Sequence, residues 1–357
     1  MDAEKNTDCR CMSRRSFLGA SAALAFTPFV RPLSLLSQGA AVEPLKIDTY
    51  HYIDPMFEGM RIVLSYMGEK YTPAYIQGIS GMAFRIAGPC PCAPTCAVAM
   101  DPKALLKTLG YTFAEHNLGW KDDDVSAQLP AMITKVKASI DAKQPVMVWH
   151  AFTNAEWDVV CGYDDAEGVF IGRGSYAGNK EYAKAKQGRA AEAVKICPAF
   201  GALIVGKKEG SFDARAAEFA ALNEAVRHAR NSAKSLSGPE HEGLAAYDDW
   251  IAAFKKPDKK RDNGDAYTFG CYRSTRTAAS PFLHELASKY PKLKSNLLKA
   301  AGEFEKEVAT LNEAEPLVWW NSPESDTARN DKLWPILAKA KEHYAKGISF
   351  IEKCLPG

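Results

Sequence analysis

Three cysteines in the run GPCPCAPTC, Cys90, Cys92 and Cys96, are the side chains in this chain best suited to chemistry. Thiolates this close together could hold a metal ion, with His150 as a fourth ligand. The spacing lacks the paired two-residue gaps of structural zinc sites, and alternating prolines stiffen the loop. A disulfide within the loop, or from it to Cys161 or Cys197, is therefore favoured over metal. No two-residue Cys spacing exists to suggest a redox pair. Further along, Glu156 and Asp158 flank Trp157; on a strand they would share a face and could bind a cation or an amine. His150, in an apolar run, is either a hydrogen-bonded core histidine or a ligand. Glu58 lies in the first turn of a helix, where a carboxylate suits the dipole. Glu58, His150, Glu156 and Asp158 are thus the candidate ligand-binding residues, and no cofactor is called for.

The elements that must position them follow from periodicity. Met60, Val63, Leu64 and Met67 give one apolar helical face, stopped by Gly68. Thr72 and Asp101 read as N-caps, each followed by a proline at the first helical position. Leu45–Ile53 alternates loosely as a first strand, Tyr111–His116 reads as a strand, and Val125–Ala142 as a helix. Four more β-like runs follow: Pro145–Phe152, Trp157–Tyr163, Val169–Arg173 and Ala202–Val205. Asp164–Gly168 supplies a hairpin connection between the second and third. Helices first and an antiparallel sheet after predict an α+β fold. Gly206–Gly210 marks a boundary. Beyond it the pattern is all helix: one starting at Ser211 or Asp213, one around Leu244–Phe254, then Tyr267–Tyr290, Leu293–Leu311 and Asp326–Lys353.

Composition bounds the function. The 357 residues are 46% hydrophobic and 25% charged, which is ordinary for a globular chain with room for two domains. Ser13-Arg14-Arg15-Ser16-Phe17-Leu18-Gly19 precedes the apolar run Ala20–Val30, and small residues follow at Gly39-Ala40-Ala41. This resembles a bacterial twin-arginine signal, which implies export to the periplasm or beyond and removal of residues 1–41. The leader holds five basic and three acidic residues, so its loss leaves 40 of each. A neutral chain without a basic stripe is a poor partner for nucleic acid or an anionic membrane. Seven cysteines would remain, an odd number in a compartment that permits disulfides.

Two stretches resemble the papain-like family typified by the N-terminal domain of the butirosin-biosynthesis acyltransferase. The first is Leu64–Gly68 followed by Tyr75–Gly81 and Ala83–Arg85. The second is Pro145–Val146 followed by Glu156–Asp164. Cys271–Arg273 and Phe282–Leu283 look like the second domain of such proteins. The resemblance implies a papain-like α+β domain over residues 42–206 and an all-α helical domain over 211–357. It also implies a thiolate at a helix N-terminus with a nearby imidazole. Here that helix start reads Pro55-Met56-Phe57-Glu58, and Glu156 or Trp157 stands where the imidazole belongs. With the dyad gone, the expectation is a non-catalytic protein that binds a small molecule or peptide in the cleft. The alternatives are an amide hydrolase or acyltransferase using a relocated thiol at Cys90, Cys92 or Cys96, and a metal-binding protein built on that loop.

Overall fold

The computed structural model describes residues 41–51, 53–86, 101–119, 121–175, 177–195, 199–232, 241–260, 263–319 and 321–356. β1 (Ala41–Val42) opens the chain. α1 (Pro55–Tyr66) follows, started by Asp54, whose Oδ1 accepts the Phe57 N–H at 3.1 Å, and by Pro55 at its first position. α2 (Pro73–Ile79) is capped by Thr72, and a short 3₁₀ turn covers Met82–Phe84. α3 (Pro102–Thr108), β2 (Tyr111–His116) and α4 (Asp122–Asp141) lead into the sheet proper. β3 (Val146–Trp149), β4 (Trp157–Asp164), β5 (Val169–Arg173), β6 (Ala183–Lys186) and β7 (Ala202–Lys208) complete it. The strand order is β2-β7-β3-β4-β5-β6, antiparallel throughout, with β1 added to the end of β4. The α+β class expected from the sequence is what the chain forms.

The two faces of the sheet carry different layers. A side chain on Gly59 of α1 would meet Met147 and Val159, so α1 packs on the face that those residues share. Val148 and Asp158, their neighbours along the strands, point the other way. On that second face lie α4, whose Asp141 accepts from the Tyr163 hydroxyl at 2.8 Å, and the 3₁₀ segment Gln187–Lys195.

The helical half comprises α5 (Ala214–Arg230), α6 (Gly243–Phe254), α7 (Asn263–Arg276), α8 (Ala279–Lys289), α9 (Lys294–Val318) and α10 (Asp326–Glu352). One continuous apolar core runs through both halves. The segment Met82–Ile86 is buried among the helices: Arg276 donates to the Ala83 and Arg85 carbonyls at 2.6 and 3.2 Å, and the Tyr344 hydroxyl donates to Phe84 O at 2.9 Å. Ile86 N donates to His228 Nε2 at 3.0 Å.

Two expectations about elements need correction. Leu45–Ile53 is not a strand. Leu45, Ile47 and Tyr50 are buried, but the alternation breaks at the exposed pair Asp48-Thr49, and the described part of the run pairs with the sheet only locally, as at Leu45 N to Cys161 O. The predicted helix Tyr267–Tyr290 breaks at Thr277–Ala278. There the hydroxyls of Ser274, Thr275 and Thr277 turn back onto the carbonyls of Cys271, Tyr272 and Ser274 and compete with helix continuation.

Candidate functional site

The start of α1 and the start of β4 stand side by side, joined by one hydroxyl. Tyr50, buried, places its Oη 2.5 Å from both the Pro55 and the Trp157 carbonyl oxygens. A phenol has one proton, so it donates to one carbonyl at a time, and burial holds its pKa well above the ordinary value. Gln77 donates to the Asp54 carbonyl at 3.1 Å, while its buried Oε1 has no hydrogen-bond partner among the described residues. Burial pushes the Asp54 carboxyl up to about 6 despite its bonds to backbone N–H groups. The helix dipole and these amides could favour an anion here, but the side chains present, from Asp54 to Phe57, offer no thiol or hydroxyl to ionise.

Glu58 is fully committed. Its two oxygens take the Arg61 Nε and Nη2 at 2.9 and 2.7 Å, and Oε1 also meets His51 Nδ1 at 2.7 Å. Arg61 reaches on to Asp48 at 2.9 Å. The His51–Glu58 hydrogen bond raises the imidazole's pKa, outweighing its partial burial. This ion network pins the chain leading into α1, and it leaves Glu58 no oxygen for a ligand.

His150, Glu156 and Asp158 come together in the β3–β4 turn. The backbone is strained there, with His150 at φ +61° and Ala155 at φ +52°. His150 N donates to the Glu156 carbonyl at 2.7 Å, and the Ala155 N–H donates to His150 Nδ1 at 2.9 Å. That second bond fixes the tautomer: the proton sits on Nε2. Burial, helped by the Arg189 charge, lowers the His150 pKa to about 4, so the ring is neutral at physiological pH. A neutral imidazole whose Nδ1 is occupied is a hydrogen-bond donor, not a general base.

Asp158 does a different job. Its Oδ2 accepts the Phe152 and Thr153 N–H groups at 2.6 and 2.8 Å, shaping the turn, and burial raises its pKa to about 7. The Thr153 hydroxyl lies beside Oδ1 and favours the charged form, but neither atom makes an aligned hydrogen bond. Oδ1 leans over Gly174 of the neighbouring chain segment, where any Cβ would overlap it. Asp158 therefore lies on the α4 side of the sheet, away from the face on which α1 packs. The structure keeps Asp158 and His150 in one turn, places the Glu156 backbone in the same turn with its residue buried, and separates Asp158 and Glu58 onto opposite layers.

Three polar residues that periodicity did not single out complete the picture. Arg189, on the 3₁₀ segment, donates through Nη2 to Asn154 Oδ1 at 2.5 Å, while its buried Nη1 has no partner among the described residues. Arg276 and Glu307 form an ion pair at 3.1 Å and, with Ile86, Tyr247, Trp250 and Tyr272, line a small cavity of about 10 Å³, room for about one water. No spacing rule finds such pairs, since Arg276 and Glu307 lie on separate helices.

The cysteine loop Cys90–Cys96 and Cys197 lie outside the described residues, so the metal and loop-disulfide expectations fall there too. Cys161, expected as one disulfide partner, is a free, buried thiol whose pKa burial pushes up to about 12. Cys271 is also buried, and Cys354 is a further free, buried thiol. A comparison with known protein families and with curated proteins returns no match.

Proposed function

We propose that this chain is an exported, non-catalytic, papain-like protein that binds a small molecule or peptide at a cleft whose Cys–His dyad has been lost. The observation that carries the reading is the Tyr50 bridge between the Pro55 and Trp157 carbonyls. It supports a papain-like layout, in which a helix start faces the first residues of a strand. At the two positions where that layout puts nucleophile and base stand Met56 or Phe57 and Glu156. Of the imidazoles in reach, His51 is tied to Glu58, and His150, in the turn before β4, is neutral with Nδ1 occupied, which supports the absence of a base as well. General acid–base help of roughly 10²–10⁴-fold is then missing together with the covalent step.

The test treats the folded wild-type protein with iodoacetamide and maps adducts by mass spectrometry. The expected result is slow labelling, with Cys161 protected by burial. Fast, stoichiometric alkylation of one cysteine, abolished by His150→Asn, would establish a relocated dyad and overturn the reading in favour of an amide hydrolase or acyltransferase.

A further inference from the structure

Three buried side-chain atoms without hydrogen-bond partners among the described residues lie at the β3–β4 turn and the adjoining 3₁₀ segment, on the α4 side of the sheet: Thr153 Oγ1, Asp158 Oδ1 and Arg189 Nη1. Such groups are costly when left dry, and a concentration of them marks a place where something polar belongs. Arg189 Nη1 has a neighbouring donor outside this group, His150 Nε2. His150 is held by Ala155 N, and Arg189 is held by Asn154 Oδ1, so the Asn154–Ala155 step braces both side chains. Asn154 is exposed, which puts this step at the surface while His150 itself is buried. The brace leaves two donors, His150 Nε2–H and Arg189 Nη1, without hydrogen-bond partners among the described residues.

We propose that His150 Nε2–H and Arg189 Nη1 form a recognition site for the free carboxylate of a ligand, one oxygen to each donor. The left-handed backbone at His150 and Ala155 has a use in this arrangement, because it accompanies the Ala155 N–H bond to His150 Nδ1 that keeps the ring proton on Nε2. The charge balance selects among oxyanions. Arg189 brings one positive charge, and the Asp158 carboxyl, close enough to feel it, makes the surroundings poor for a doubly charged group such as phosphate. A monoanion suits a single available guanidinium nitrogen and a neutral imidazole. Peptide C-termini and small organic acids share this group. The proposal rests on reading the chain as a binding protein, but not on its papain-like ancestry.

The experiment titrates the full folded chain with N-acetyl-trialanine and, separately, with its C-terminal amide. Intrinsic fluorescence reports binding, since Trp149 and Trp157 pack against each other 5.6 Å apart beside His150. The acid should bind saturably and the amide at least about tenfold more weakly, the usual loss for one charged hydrogen bond. Arg189→Gln should weaken the acid about tenfold and leave the amide unchanged, while Arg189→Lys retains part of the effect. His150→Asn, a residue that tolerates the left-handed backbone, serves as the second variant if larger changes unfold the turn. Equal binding of acid and amide, or of acid to wild type and Arg189→Gln, would overturn the carboxylate site yet leave a binding function standing. No saturable response to the acid would also overturn it, and the iodoacetamide experiment would still decide the dyad question separately.

Discussion

The ring of Phe282, in α8, occupies the space where a side chain on Gly78, in α2, would have to be. Here the sheet half meets the helical half, and Phe282 is fully buried in the contact. Gly78→Ala should cost about 1–3 kcal/mol by overpacking. Gly78→Ala with Phe282→Leu should cost less than the sum of the single changes, because the two residues compete for one volume. Urea denaturation of the four proteins measures this; strict additivity would mean the contact is relieved elsewhere.

Arg276 and Glu307 are both buried to within a few per cent, and the Tyr247 hydroxyl donates to Glu307 at 2.5 Å. Removing one charge strands the other. Arg276→Met should cost about 3–5 kcal/mol, part of it from the Ala83 and Arg85 carbonyls left without their donor. Adding Glu307→Gln should recover a portion, read as a rise in the denaturation midpoint over the single variant.

Asp158 and His150 pull the pH dependence in opposite directions. The Asp158 carboxyl, raised to about 7, holds its proton in the folded state, so its contribution is lost as pH rises through that value. His150, lowered to about 4, is protonated first in the unfolded chain, near its ordinary value of about 6.5. Its contribution is therefore lost as pH falls from there toward 4. Asp158→Asn keeps an oxygen for the Phe152 and Thr153 N–H groups and removes only the titration. Relative to wild type, it should gain stability around pH 8 and fall off more steeply on acidification, the difference between the two proteins changing by up to about 4 kcal/mol across that range. Parallel stability–pH curves for the two proteins would show that Asp158 does not titrate in this range.

Replacing Arg14 and Arg15 by Lys preserves charge but should abolish a twin-arginine route. The readout is the distribution of full-length and processed chain between cytoplasmic and exported fractions. Unchanged export of the double variant would remove the basis for placing the protein outside the cytoplasm.

Local signals in the sequence located much of the frame. Thr72-Pro73, Asp101-Pro102 and Asp213 cap helices as their types require, and Asp164–Gly168 joins β4 to β5. The strand β6, AKAK, was invisible because a short charged edge strand has no apolar face to announce it. Within the candidate site, residue types were legible and their employment was not. Glu58 looks available until Asp48, His51 and Arg61 close around it. Asp158 alternates with Trp157 as expected, but only the packing of Gly59 shows which face belongs to α1. His150 gives no hint of its left-handed backbone, which the Asp158 anchor and the Ala155 N–H impose together.

The burial of Met82–Ile86 among the helices sets a timetable for the chain. The Ala83 carbonyl meets its donor 193 residues later, in Arg276, and the Phe84 carbonyl waits 260 residues for Tyr344. During synthesis every strand leaves the ribosome before either donor exists. A nascent or truncated chain ending near Gly210 thus carries bare carbonyls and an uncovered apolar seam, whatever the quality of its sheet. Maturation is governed by these distant closures, so α10, made after every strand described, decides when the first half is finished.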